Sequence, residues 1–171
     1  MRVVQERLGS VSILTLSRPA ARNAWCKEFN DEIPRLLHEL EHDPEVRCVV
    51  LTGDEAGRAF SAGADMKSPQ THNERSAAEF INAMGKSRSY VSVLPQSFPK
   101  PIIAAVNGYA IGNGCILSFC CDLIVASDRA EWRLPQVSLG ILPAQGGAAR
   151  LTRIVGKANA TKMALGFPIG A

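Results

Sequence analysis

Two short runs rich in β-branched residues open the chain, Val3 to Glu6 and Val11 to Leu16. Leu8-Gly9-Ser10 separates them, and together they predict an N-terminal hairpin. Ser17-Arg18-Pro19 ends it, and Ala20 to Trp25 reads as a loop. The hydrophobic period then changes: Phe29, Ile33, Leu37 and Leu40 recur at helical spacing. Pro34 falls inside that pattern, so the helix either kinks or begins near Asn30 with Pro34 in its first turn. Asp43-Pro44 stops it. Cys48 to Thr52, with Val49-Val50-Leu51 at its centre, predicts a buried strand.

After a polar stretch from Ser68 to Asn73, Glu74 to about Leu94 reads as one or two helices with Phe80, Met84 and Tyr90 or Val91 inward. Pro95 to Pro101 is a linker. Ile102 to Val106 predicts a short strand, followed by an Asn107-Gly108 turn. Gly112-Asn113-Gly114 then leads into an apolar helix, Cys115 to Cys121. Leu123 to Ala126 predicts another buried strand, and Trp132 to Leu134 and Val137 to Leu142 predict extended pieces around Pro135. Gln145-Gly146-Gly147 precedes a helix from Ala148 to Ile154; Gly156-Lys157 breaks it, and a last helix runs from Ala158 to about Leu165. Strand and helix signals alternate throughout, which indicates an α/β fold. A length of 171 residues fits a single domain, 1–171.

Composition changes this picture little: hydrophobic residues make up 46% and charged residues 20%. A net charge of +3, with no Lys/Arg run or aromatic–basic interleaving, argues against nucleic acid as partner. No apolar run reaches membrane-spanning length, so no membrane partner is expected. The five cysteines, Cys26, Cys48, Cys115, Cys120 and Cys121, are odd in number and lack paired spacing. That favours reduced thiols. Arg2 to Glu6 already reads as a strand rather than a signal or transit peptide, and the expected location is cytoplasmic.

Two stretches carry candidate chemistry. Glycines at Gly112 and Gly114 let a ligand approach the main chain. The first N–H groups of the following helix have no partner inside it, and such an end can hold an anion or an oxygen that becomes one. The second stretch is Arg58 to Lys67, where small residues surround Gly63 and basic groups flank them. His38 and His42 lie four apart, a metal-ligand spacing, but no third ligand is evident and no metal is expected.

These features resemble the enoyl-CoA hydratase/isomerase (crotonase) superfamily almost from end to end. The resemblance rests on Ser17-Arg18-Pro19 with Asn23-Ala24, Ala59-Phe60-Ser61-Ala62-Gly63-Ala64-Asp65, and Lys100-Pro101 to Ala110. It continues in Gly112-Asn113-Gly114-Cys115, Cys121-Asp122, Leu134-Pro135, Gly140-Ile141-Leu142-Pro143, Gly146-Gly147, Arg150-Leu151 and Val155-Gly156-Lys157-Ala158. It implies a spiral of ββα repeats, here lacking the family's usual C-terminal helical part. It implies a coenzyme A thioester as substrate, with no tightly bound cofactor, and a homotrimer or dimer of trimers in a reducing compartment or in mitochondria. The oxyanion-hole N–H groups would be those of Ala64 and Asn113. Coenzyme A would lie along Asn23, Ala24, Lys27, Arg58 and Lys67, with pantetheine passing Ala62, Gly63, Ala64, Asp65 and Met66, near Gly112, Asn113 and Gly114. Asn113 stands where the family usually has glycine; if that position needs positive φ, Asn tolerates it better than most residues. Asp65 and Asp122 match family aspartates that read as structural.

The chain departs from the family where water is handled. Hydratases of this type use two glutamates, and the corresponding positions are Ile116 and Gln136. Isoleucine cannot transfer a proton and a neutral amide is a poor base. General acid–base catalysis contributes roughly 10²–10⁴-fold, so ordinary hydration is expected to be impaired. Some relatives place an aspartate where this chain has Ala144. Gln145 reads as a residue able to reach the pocket, Cys115 as a small core residue, and His72 and Glu74 as loop residues able to supply an acid or base. The expected function is chemistry on an acyl- or enoyl-CoA thioester through an oxyanion hole; the alternative is a non-catalytic acyl-CoA-binding or assembly subunit.

Overall fold

The computed structural model describes residues 2–67, 98–141, 143 and 146–171. In chain order the elements are β1 (Val3–Leu8), β2 (Val11–Leu16), α1 (Lys27–His42), β3 (Cys48–Gly53), β4 (Ala59–Ser61), β5 (Ile102–Val106) and β6 (Tyr109–Ile111). There follow α2 (Asn113–Ser118), β7 (Leu123–Ala126), β8 (Glu131–Arg133), α3 (Gly147–Ala164) and β9 (Ile169–Gly170). The expected hairpin is present, with β1 antiparallel to β2 from Val3↔Leu16 to Leu8↔Val11. β2, β3, β5 and β7 then run parallel as neighbours in a five-stranded sheet. A second sheet has the order β4-β6-β8-β9.

The two sheets grow together. Three strands of the first sheet each pass through a turn into a short strand of the second: β3 into β4, β5 into β6, β7 into β8. Each such turn of chain advances one position in both sheets. The path is therefore a spiral of ββ units, and α2 completes one as ββα. This agrees with the α/β spiral expected from the sequence.

α1 shows why the pattern dominates a local conflict. It starts at Lys27, earlier than the Pro34 argument suggested, and carries Pro34 in its interior. An interior proline costs about 3 kcal/mol. Phe29, Ile33, Leu36, Leu37 and Leu40 are all buried, in one core with Val3, Leu14, Val49, Leu51 and Ile102. Each such burial contributes roughly 1.5–3 kcal/mol, so the stripe outweighs the proline. At the far end Lys100 Nζ donates to the carbonyls of Leu40 and Asp43, satisfying acceptors the helix leaves open.

Several expectations are corrected. The segment read as extended from Val137 is instead a 3₁₀ turn, Pro135–Leu139, because Pro135 sits in its first turn and Gly140 closes it at φ 70°. The two C-terminal helices are one element, α3, interrupted at Gly156 by non-helical dihedrals (φ 74°, ψ 165°). α2 is shorter than read and begins at Asn113. Leu123–Ala126 is a strand, but it is exposed, since it forms the last position of its sheet. The helices expected between Glu74 and Leu94 lie outside the described residues. All five cysteines are free thiols. Among the described residues no helix is long and apolar enough to cross a membrane.

Candidate active site

The two small-residue stretches singled out in the sequence meet in space. Gly63 has φ +83°, a conformation that L side chains rarely adopt. A Cβ placed there would lie 2.5 Å from the Ile111 carbonyl and 3.2 Å from the Asn113 nitrogen. One residue on, a Cβ at Gly114 would lie 2.3 Å from the Ser61 carbonyl. The turn after β4 and the start of α2 are therefore in backbone contact, and only glycine permits it. Gly112 takes φ +52°, while Asn113 is the first helical residue and is not in the positive-φ region. The strained position is thus the glycine, and Asn113 needs no special tolerance.

Neither the Ala64 nor the Asn113 N–H has a main-chain acceptor among the described residues. Asn113 is an N-terminal helical residue, whose N–H has no intrahelical partner by construction. α2 spans only six residues, so its dipole adds little and the local N–H groups matter more.

A loop from the chain's start clamps this turn from the other side. Ala62 N–H donates to the Arg22 carbonyl at 3.0 Å, and Trp25 N–H donates to the Gly63 carbonyl at 2.7 Å. The segments 23–27 and 62–67 expected to face the coenzyme are therefore adjacent. Within them the roles differ. Asn23 is fully buried; its Nδ2 donates to the carbonyls of Asp54 and Ala59, and its Oδ1 accepts from Arg18 N–H. It ties three loops together. Ala24 is buried too, whereas Lys27, Met66 and Lys67 are exposed. Asp65 pairs with Arg18 at 2.6 Å, and this hydrogen bond holds its carboxyl below the usual carboxylate range. Asp122 accepts from Ile102 N–H at 2.8 Å. Arg58 lies at the opposite end of β4 from Ala62.

Ile116 and Gln136 share one neighbour, Gly112. Ile116 N–H donates to the Gly112 carbonyl, and Gln136 Nε2 lies 3.7 Å from where a Gly112 Cβ would be. Ile116 is fully buried, and a Cβ at Gly147 would lie 2.7 Å from its Cδ1. Gln136 is 8% exposed and its Oε1 is buried without a hydrogen-bond partner. Cys115 is buried, and desolvation pushes its thiol far above the ordinary range, so it is a core residue rather than a nucleophile. His72, Glu74, Ala144 and Gln145 lie outside the described residues.

Beside these turns a cleft of about 340 Å³ is lined by Arg22, Ala62, Tyr109, Ile111, Arg133 and Pro135. The sequence reading did not single out Arg22 or Arg133. Arg133 stands on the short strand β8, and only the pairing of β8 with β6 brings it to this place.

Spiral fold and paired turns define the class, a crotonase-type fold. The sequence model of the enoyl-CoA hydratase/isomerase family matches residues 6–168, and the chain belongs to that family. It is 42% identical over 166 residues to a 2,3-dehydroadipyl-CoA hydratase of Escherichia coli, covering 95% of this chain and 61% of the relative. It is 41% identical over 157 residues to a probable enoyl-CoA hydratase of Mycobacterium leprae, covering 91% of this chain and 57% of the relative. The chain thus spans about three fifths of the length of these relatives. The solved enoyl-CoA hydratase of Bacillus anthracis superposes with a TM-score of 0.87 at 30% identity, over 100% of this chain and 65% of that one.

Proposed function

We propose that this chain binds an acyl- or enoyl-CoA thioester and polarises its carbonyl between the N–H groups of Ala64 and Asn113. One observation carries the reading: Gly63 is pressed against Asn113 while both N–H groups lack a main-chain acceptor. Two fixed donors stabilise an enolate-like oxygen, and removing one such donor typically costs about 3 kcal/mol of barrier. Pantetheine runs along Ala62 to Met66, and Lys27 and Lys67 meet the coenzyme phosphates. Arg22 in the cleft lining adds positive charge, while Arg133 there is paired with Glu131. No tightly bound cofactor is required. Assembly as a homotrimer or dimer of trimers goes with the family resemblance.

The reaction class follows from what the site lacks. Ile116 and Gln136 cannot take a proton from water, so hydration is slow here. Chemistry that makes an enolate without a carboxylate base remains open. In decarboxylation of a malonyl-type thioester, the C–C bond breaks, carbon dioxide leaves, and the electron pair passes to the thioester oxygen between the two N–H groups. The carbanion carbon then takes its proton from water. The lack of a carboxylate at Ile116 and Gln136 also favours a second reading, a subunit that binds acyl-CoA without turning it over.

The test is incubation with saturated, enoyl, 3-hydroxy and malonyl-type CoA thioesters at high protein concentration, with products read by mass and chromatography. A new or isomerised product that disappears in Ala64→Pro, which deletes one N–H, supports catalysis through this pair. Unchanged turnover in that variant overturns it. Binding without product moves the reading to the non-catalytic subunit.

A further inference from the structure

The exposed end of α1 holds a cluster that the thioester reading does not use. His38, Glu41 and His42 follow each other at i, i+3 and i+4, the spacing that stacks side chains on one helical face. One ligand atom from each lies within 4.8 Å of the others. The third donor missing from the sequence reading is Glu41.

We propose that His38, Glu41 and His42 form a surface site for one divalent transition-metal ion of the zinc, nickel or copper class. Two imidazoles and a carboxylate are a donor set that such ions accept, whereas magnesium and calcium prefer oxygen alone. Metal bonds of 2.0–2.2 Å require ligand atoms no more than about 4.2 Å apart. All three side chains are exposed, so the small closure needed is a rotation about their own bonds, with no backbone movement.

Two independent features favour an ion there. His42 Nδ1 lies 2.9 Å from the His38 carbonyl. A carbonyl oxygen only accepts, so Nδ1 carries a hydrogen, and in the neutral ring that leaves the lone pair on Nε2, the arrangement by which a carbonyl orients a metal-binding histidine. The cluster also occupies the last turn of a 16-residue helix, where the negative end of the dipole favours a cation. The neighbouring cations are engaged elsewhere: Arg35 with Glu39, Arg7 with Asp43, and Lys100 with the Leu40 and Asp43 carbonyls. The bound ion clips the final turn of α1 and leaves coordination positions to water. It lies about 20 Å along the helix from the Trp25–Lys27 end that borders the thioester turns, so it stands independently of that reading.

The chain has three histidines, which makes the test direct. In a zinc titration followed by NMR of the ring nitrogens, the Nε2 signals of His38 and His42 should shift together and saturate at one ion per chain. His72 should stay in place, and magnesium should have no effect. Zinc should raise the melting temperature, and the response should weaken as pH falls and protons compete for the imidazoles. His38→Ala combined with His42→Ala should weaken binding by more than about tenfold, with Glu41→Gln intermediate. Circular dichroism checks that the helix survives both changes. No shift in the wild-type chain, or zinc binding undiminished in the double variant, overturns the site.

Discussion

Gln136 concentrates the tension between stability and function at a single residue. Its Oε1 is buried and unpartnered, and an unsatisfied buried polar group costs about 1–3 kcal/mol. Substitution by leucine, of similar size and without polar atoms, should therefore raise stability by about 1 kcal/mol in urea melts. The same change should weaken acyl-CoA binding, because Gln136 borders Gly112 and its amide is available to a polar group of the ligand. A less stable variant would show that the amide already serves the empty fold, and a more stable one with unaltered affinity that it makes no contact with the ligand. The identity of this residue was legible in the sequence. Its burial and missing partner were not, because both depend on how the turn after β8 folds back onto Gly112.

At the scale of elements, legibility followed length and side-chain size. α1 and the first sheet were readable because long apolar patterns have a definite period. β4 and β6, three residues each, were not: Ala59–Ser61 falls inside the small-residue stretch around Gly63 and is too short to show a strand period. Those short strands set the site, since β4 ends where Ser61 meets α2. Gly114 is the hinge of that contact. Gly114→Ala would drive a Cβ into the Ser61 carbonyl and Cβ, with no flexible side-chain end to yield. Overpacking of this kind costs about 1–3 kcal/mol. Chemical denaturation should register that loss, and acyl-CoA binding should fall by more than the stability change accounts for, since α2 must move away from the 62–64 turn. An alanine variant with wild-type stability would mean that the two elements separate freely and that the turn geometry is not fixed by this contact.

For the molecule as a whole, the decisive feature is an apolar surface on the far side of the first sheet. β7 read as a buried strand because Leu-Ile-Val-Ala is uniformly apolar, yet Leu123 is 60% and Val125 62% exposed. Among the described residues the strand is the last in its sheet and its outer edge has no strand partner, a template for another chain. Beside it lie an apolar groove of about 220 Å³ between Phe119, Trp132, Ile154 and Met163, and a larger one of about 470 Å³ reaching Leu123 and Arg150. Exposed apolar surface this contiguous drives association, and the net charge of +3 offers little repulsion against it. This 171-residue chain is therefore expected to self-associate as its concentration rises, with sedimentation velocity showing a growing weight-average mass. Leu123→Lys with Val125→Lys should suppress the association without unfolding the chain, because both side chains already face solvent and charge on an edge strand discourages pairing. A wild-type chain that stays monomeric at high concentration would mean that the edge of β7 and the grooves beside it are not sticky enough to bring copies together.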